Sequence, residues 1–195
     1  MAERLAGGNV ALALLANNIV TAAALLALIT ALGPVSGAHF NPIVTIVEAL
    51  GGRLAWRAVP GFVAAQVVGG IAGAALAHLM FSLPVVTMSM HERAGAAQIG
   101  SEAVATFCLL LVIAGVSRAR PAAVPACVAA MIAAAYWFTA STSFANPAVT
   151  IARALSDTFA GIRPGDVPGF LLGQAIGAAV AVVVTRALWP AKALA

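Results

Sequence analysis

Charge is what this sequence has least of. Only 8% of its 195 residues are Asp, Glu, Lys or Arg, against about 25% in an ordinary soluble domain. Hydrophobic residues make up 63%, and a water-facing domain that apolar exposes more greasy surface than water tolerates. The shortage of charge therefore excludes a soluble globular fold and makes the bilayer the natural solvent. Cysteine is nearly absent. Cys108 and Cys127 both sit in apolar runs, offer no disulfide framework or metal spacing, and read as packing residues. Basic clusters are missing too: the ten Lys and Arg are scattered singly. The net charge of +4 then marks the loops of a membrane protein rather than a nucleic-acid surface. The first residues are not expected to form a secretory leader, since Glu3 adjoins Arg4 and the apolar stretch that follows is too long for one. His39, His78 and His91 fall in different segments, and no nucleophile–base pair or metal cluster accompanies them. An intramembrane enzyme, a resident metal and a cofactor are therefore not expected.

What is present is apolar length. A helix needs roughly 20 apolar residues to cross the hydrocarbon core. Stretches at about 8–32, 56–82, 95–117, 122–143 and 166–189 meet this, with Pro60, Pro125 and Pro168 near three of the starts, where a missing N–H costs least. Two shorter apolar stretches, about 42–51 and 147–156, each open on Asn-Pro. Half a span with Pro in its first turn reads as a re-entrant half-helix.

The chain also repeats itself. Asn41-Pro42-Ile43-Val44-Thr45-Ile46 matches Asn146-Pro147-Ala148-Val149-Thr150-Ile151, and Pro60-Gly61-Phe62 with Gln66 and Gly69 matches Pro168-Gly169-Phe170 with Gln174 and Gly177 at identical spacing. Residues 1–82 form the first repeat and 95–190 the second. Three full spans separate the two Asn-Pro blocks, an odd number, so the half-helices enter from opposite faces. That is an inverted repeat, which places a site near the midplane. The expected fold is an all-α membrane protein with five spanning helices and two half-helices.

Orientation follows from charge. With the first Asn-Pro loop cytoplasmic, Arg53, Arg57, Arg118, Arg120, Arg186 and Lys192 are inside. Arg4, Arg93, Arg153 and Arg163 are outside, with Glu3, Glu92, Asp157 and Asp166. Six basic residues inside against four outside favour this orientation modestly. Each half-helix N-terminus carries unpaired N–H groups and roughly half a positive charge. Two such ends at mid-membrane repel cations and protons, while the Asn41 and Asn146 amides donate hydrogen bonds to a passing oxygen.

Ser36-Gly37-Ala38-His39-Phe40-Asn41-Pro42 together with Asn146-Pro147-Ala148 resembles the paired signature of the major intrinsic proteins, the aquaporins and aquaglyceroporins. The resemblance covers nearly the whole chain. It implies six spanning helices, of which the first has no counterpart here, so 8–32 corresponds to the family's second helix. A start assigned to an internal methionine and a true truncation both stay open. By the resemblance, Glu102 is a buried acid accepting N–H bonds from the second Asn-Pro loop, and the first loop lacks that support. His39 lines the cytoplasmic vestibule. The filter positions are Thr21, Ala134, Ser143 (or, one residue on, Phe144) and Val149.

These filter residues depart from the family pattern. Water channels carry Phe, His and Arg where Thr21, Ala134 and Val149 stand, and Thr150 replaces the Asp that glycerol channels place beside that Arg. The constriction is expected to be wider and without its fixed charge. Ile43 stands where the family usually has Ala. The run from Asn146 to Arg153 resembles a bacterial subgroup associated with arsenic resistance. What these residues imply is a passive channel for small neutral or weakly charged solutes: water, glycerol-like polyols, and metalloid hydroxides such as arsenite, with methylated arsenicals as further candidates. The alternative is a truncated, non-conducting fragment. The resemblance further implies a homotetramer in a bacterial inner membrane, whose partners are lipid and small solutes.

Arg153 lies four residues after Val149, on the same helix face and about 6 Å further out by helical rise. Its charge is expected at the outer mouth, attracting oxyanions. A pair with Asp157, its i+4 neighbour, is the other reading.

Overall fold

The structure is a computed structural model and describes residues 1–190. Its described residues form α-helices and short 3-10 turns, with no strand. A short α1 (Ala2–Leu5) precedes α2 (Val10–Ser36), the half-helix α3 (Pro42–Leu50) and α4 (Val59–Met80). Then follow α5 (Ala96–Ala119), α6 (Val124–Phe138), the half-helix α7 (Pro147–Arg153) and α8 (Val167–Leu188). Among the described residues, five helices are long and apolar enough to cross a membrane. Lys192, read above as cytoplasmic, lies outside the described residues.

Boundaries moved where backbone chemistry dictated. α2 runs on through Pro34 and stops at Gly37, whose φ of 77° ends the helix in the left-handed region that glycine tolerates. α6 ends at Phe138, five residues short of the expected 143. Residues 139–145 instead descend as an irregular loop, so that Asn146 can open a new helix deep in the protein. Pro60, Pro125 and Pro168 each occupy the second position of their helix.

Polarity is inverted relative to a water-soluble core. Large apolar residues such as Ile19, Val20, Val68, Leu76, Leu172 and Val183 are exposed, whereas Asn18, Thr45, Glu102, Thr106, Thr150 and Gln174 are buried. Lipid solvates the first set at no cost, and all of the second set but Thr106 hydrogen-bond internally, because hydrocarbon offers no partners. Asn18 on α2, for example, donates to the Ala133 carbonyl of α6 at 2.6 Å.

The tightest helix pair is α5 on α8. A Cβ at Gly173 would overlap the Ile99 carbonyl oxygen, and one at Gly177 would overlap that of Ala103. Small residues allow this backbone approach, which is how helices associate in lipid. Gly69 matches Gly177 in the repeat, yet a Cβ there meets nothing within 4 Å. Gly177→Ala is therefore expected to destabilise the fold by about 2 kcal/mol through overpacking. Gly69→Ala is expected to be neutral or slightly stabilising, since Ala is the better helix former. Thermal melting in detergent compares the two, and equal effects would contradict the packing argument.

Candidate solute pathway between the half-helices

Each half-helix begins on a capped asparagine. Asn41 Oδ1 accepts the Ile43 N–H at 3.0 Å, and Asn146 Oδ1 accepts those of Ala148 and Val149 at 3.0 and 3.3 Å. With Oδ1 committed to the cap, each Nδ2 points away from its own helix. Asn41 Nδ2 donates to the Ala145 carbonyl at 2.7 Å, and Asn146 Nδ2 to the Phe40 carbonyl at 2.8 Å. These reciprocal bonds tie the two helix N-termini together. An amide nitrogen has two hydrogens, so one N–H per asparagine remains for the cavity that both residues line. Pro42 and Pro147 fill the first helical turn. Ile43 packs against the apolar core, and Ala148 faces a second cavity on the α4 side.

Both loops reach their asparagine through strained backbone. Ala38 and Phe40 before Asn41 have φ of 46° and 49°, and Ser143 and Ala145 before Asn146 have 52° and 46°. Left-handed conformations at non-glycine residues cost roughly 1–2 kcal/mol each, and they turn successive amides to one side. In the second loop those amides have a partner. Glu102, fully buried, accepts the Phe144 and Ala145 N–H groups at 2.9 and 2.8 Å, the Ser141 hydroxyl at 2.6 Å and Gln174 Nε2 at 2.6 Å. Gln174 also donates to Thr150 Oγ1 at 2.9 Å, and Gln66 repeats this contact with Thr45 at 2.9 Å. No carboxylate serves the first loop: among the described residues, the His39 and Phe40 amides have no acceptor. Both residues border the second cavity, a groove of about 700 Å³ walled by Phe62, Gln66 and Gly69.

The cavity that both asparagines line, about 320 Å³, runs past them. Thr21, His39 and Glu48 border it from the first repeat, and Tyr136, Ser143, Phe144, Val149 and Arg153 from the second. His39 is held by Thr45 Oγ1 at 3.1 Å and by Phe62, its ring centroid 5.4 Å away. Of the expected filter positions, Thr21, Ser143 and Val149 line the cavity, as does Phe144. Ala134 does not. It faces outward, exposed, because the α6 face turned inward carries Val124, Val128, Ile132 and Tyr136. These recur every four residues along one side of the helix, and Ala134 falls between them. Counting back from Asn146 missed this because the intervening loop is not helical. The four-residue spacing of larger side chains was the signal available in the sequence.

Arg153 is not where rise per residue alone puts it, and it does not pair with Asp157. Its Nη2 lies 3.2 Å from the Tyr136 hydroxyl, and its guanidinium stacks 4.3 Å from the Phe144 ring centroid. Tyr136 in turn meets Thr21 Oγ1 at 3.2 Å. The reason is directional: side chains on a helix lean toward its N-terminus. The long Arg153 side chain thus recovers the roughly 6 Å that four residues of rise remove. Asp157 is occupied elsewhere, accepting the Met90 N–H at 2.9 Å.

The sequence placed Arg93 only among the outer-side charges, since no motif marks it. It is buried and donates to the Gly161, Ser141 and Phe159 carbonyls at 2.7, 3.1 and 3.1 Å, stitching the outer loops over the second half-helix. Its guanidinium lies 4.9 Å from the same Phe144 ring. Burial, and then the Arg153 charge, bring its pKa down to about 10, so it stays charged at neutral pH. Two cations thus flank Phe144 at the outer end of the cavity. No cluster of His, Cys, Asp or Glu able to hold a metal occurs among the described residues.

Comparison with known proteins agrees with this geometry. A family model described as "Major intrinsic protein" matches residues 3–138. The chain is 55% identical over 193 residues to aquaglyceroporin AqpS of Rhizobium meliloti (strain 1021), covering 98% of this chain and 82% of that protein. It is 37% identical over 107 residues to aquaporin NIP1-1 of Zea mays, covering 51% of this chain and 36% of that one. It is 39% identical over 108 residues to aquaporin NIP1-2 of Arabidopsis thaliana, with 51% and 37% covered.

Proposed function

The chain belongs to the major intrinsic protein family, and from that premise we propose that it is a passive membrane channel for small neutral or weakly charged solutes: water, glycerol-like polyols and metalloid hydroxides such as arsenite, with methylated arsenicals at the upper end. One observation carries the reading. Two half-helix N-termini, cross-tied through Asn41 and Asn146, open on a single cavity that continues past both. Their aligned peptide dipoles and free amide hydrogens favour an uncharged oxygen and oppose a cation. The name of the similar Rhizobium meliloti protein supports polyol-sized solutes. The cavity chemistry supports them too: hydroxyl-bearing Thr21, Tyr136 and Ser143 share its lining with Leu109, Val128, Ile132 and Val149. Assembly as a homotetramer in a bacterial inner membrane belongs to the same proposal.

The test is stopped-flow flux in proteoliposomes, comparing water, glycerol and arsenite. Glycerol and arsenite uptake above that of empty vesicles is expected; conduction of water alone would refute the wide-pore reading. Tyr136→Phe refines it. The hydroxyl bridges Thr21 and Arg153, and its loss removes about 1 kcal/mol of positioning. The glycerol-to-water permeability ratio is expected to shift several-fold, with folding unchanged. An unaltered ratio would remove Tyr136 from the filter.

A further inference from the structure

The inner face of the protein carries a crevice that the pore does not use. The C-terminal ends of α3, α5 and α8 converge there, and the space between them, about 90 Å³, is bordered by Arg53, Arg118, Arg186 and Trp189 above Leu110 and Val182. Each arginine comes from a different segment: the turn after α3, the last turn of α5 and the last turn of α8. A basic residue at a helix C-terminus is ordinarily explained by the helix dipole, and Arg118 Nη1 indeed donates to the Ala114 carbonyl at 2.6 Å. That does not account for three guanidinium groups around one opening. Of the three, Arg53 alone has an acid among the described residues, Glu48, at 2.5 Å. Neither Arg118 nor Arg186 has a carboxylate partner among the described residues.

The crevice is shaped as well as charged. Arg118 lies 5.2 Å from the Trp189 ring centroid. A Cβ at Gly115 would come within 3.2 Å of that indole, so glycine makes room for the ring. A Cβ at Gly51 would press on Arg53 Nη1 at 2.9 Å, so a second glycine makes room for that guanidinium. The opening lies where three helices end, which is the depth of the lipid headgroups, and Trp is favoured at that depth. Beneath the arginines the walls are apolar and continue along α5 and α8.

We infer that this crevice binds the phosphate group of an anionic phospholipid, with Arg118 and Arg186 supplying the charge and the α5–α8 surface below them receiving an acyl chain. Juxtamembrane arginines attract anionic headgroups, and a guanidinium offers paired N–H donors that fit phosphate oxygens. The apolar floor selects a lipid over a free phosphate ion, because inorganic phosphate gains nothing from Leu110 and Val182.

Native mass spectrometry of the full chain, released from detergent containing phosphatidylglycerol or phosphatidylcholine, tests this. Phosphatidylglycerol should be retained in preference to phosphatidylcholine. The pair Arg118→Gln with Arg186→Gln should lower that retention about tenfold, and Arg118→Lys with Arg186→Lys should restore part of it. Arg57→Gln with Arg120→Gln removes two charges from the same face outside the crevice and should leave retention unchanged. Melting in detergent checks that each variant is folded; if the double Gln variant melts early, Arg186→Gln alone serves, since Arg186 makes no side-chain hydrogen bond among the described residues. Equal losses in the crevice and control variants would reduce the effect to diffuse charge and overturn the site. Displacement of the lipid by millimolar inorganic phosphate would overturn the lipid as the ligand.

Discussion

Arg153→Ala should raise the leak of small monovalent cations by one to two orders of magnitude, and glycerol flux by several-fold. The guanidinium borders the cavity with Thr21, Tyr136, Phe144 and Val149, and no carboxylate among the described residues pairs with it. A unit charge about 6 Å from a passing cation, at an effective dielectric near 20, opposes it by about 3 kcal/mol, or roughly a hundredfold. Arg93 remains behind Phe144, but three of its five N–H groups anchor it to carbonyls, so it repels without closing the bore. Asp157→Ala is the matched control. Its carboxylate holds the Met90 amide and leaves Arg153 alone, so selectivity should not change. Cation flux and glycerol flux in the same proteoliposomes measure both effects. If Arg153→Ala leaves both unchanged, the residue is a bystander; if Asp157→Ala reproduces its effect, the two act as a pair after all.

The second large effect should come from Glu102. Its carboxylate takes four hydrogen bonds in a fully buried site. Glu102→Ala strands two backbone amides, a hydroxyl and one N–H of the Gln174 amide where lipid and packed helices supply no substitute. Each buried unsatisfied donor costs about 1–3 kcal/mol, so a loss of about 4 kcal/mol or more is expected. Glu102→Gln keeps the volume but sets an NH₂ against donors, and should lose roughly half as much. Because the Phe144 and Ala145 amides hold the strained turn before Asn146, flux per folded molecule should fall as well. Folded yield and melting temperature in detergent, with flux normalised to folded protein, separate the two losses. Wild-type melting in Glu102→Ala would show that the acid is not what holds the loop.

Much of this was legible in the residues alone. The scarcity of charge required lipid as solvent, and the duplicated Asn-Pro block with three spans between required two half-helices entering from opposite faces. Both are consequences of composition, period and parity, which do not depend on how side chains settle. Asn41 and Asn146 could be singled out because they open the repeated motif; Thr21, Val149 and the role of Glu102 came from what the family resemblance implies at positions counted from that motif. Counting failed where the chain between is irregular: Ala134 faces outward and Tyr136 inward, since a loop of unknown rise separates α6 from Asn146. It failed again for long side chains. The helical position of Arg153 points to the outer mouth, whereas its guanidinium returns to Phe144 and Tyr136 because side chains lean toward the helix N-terminus. Arg93 and the crevice under Arg118 and Arg186 depend on contacts between segments far apart in the chain. Such contacts leave no local pattern, so only packing in three dimensions could decide them.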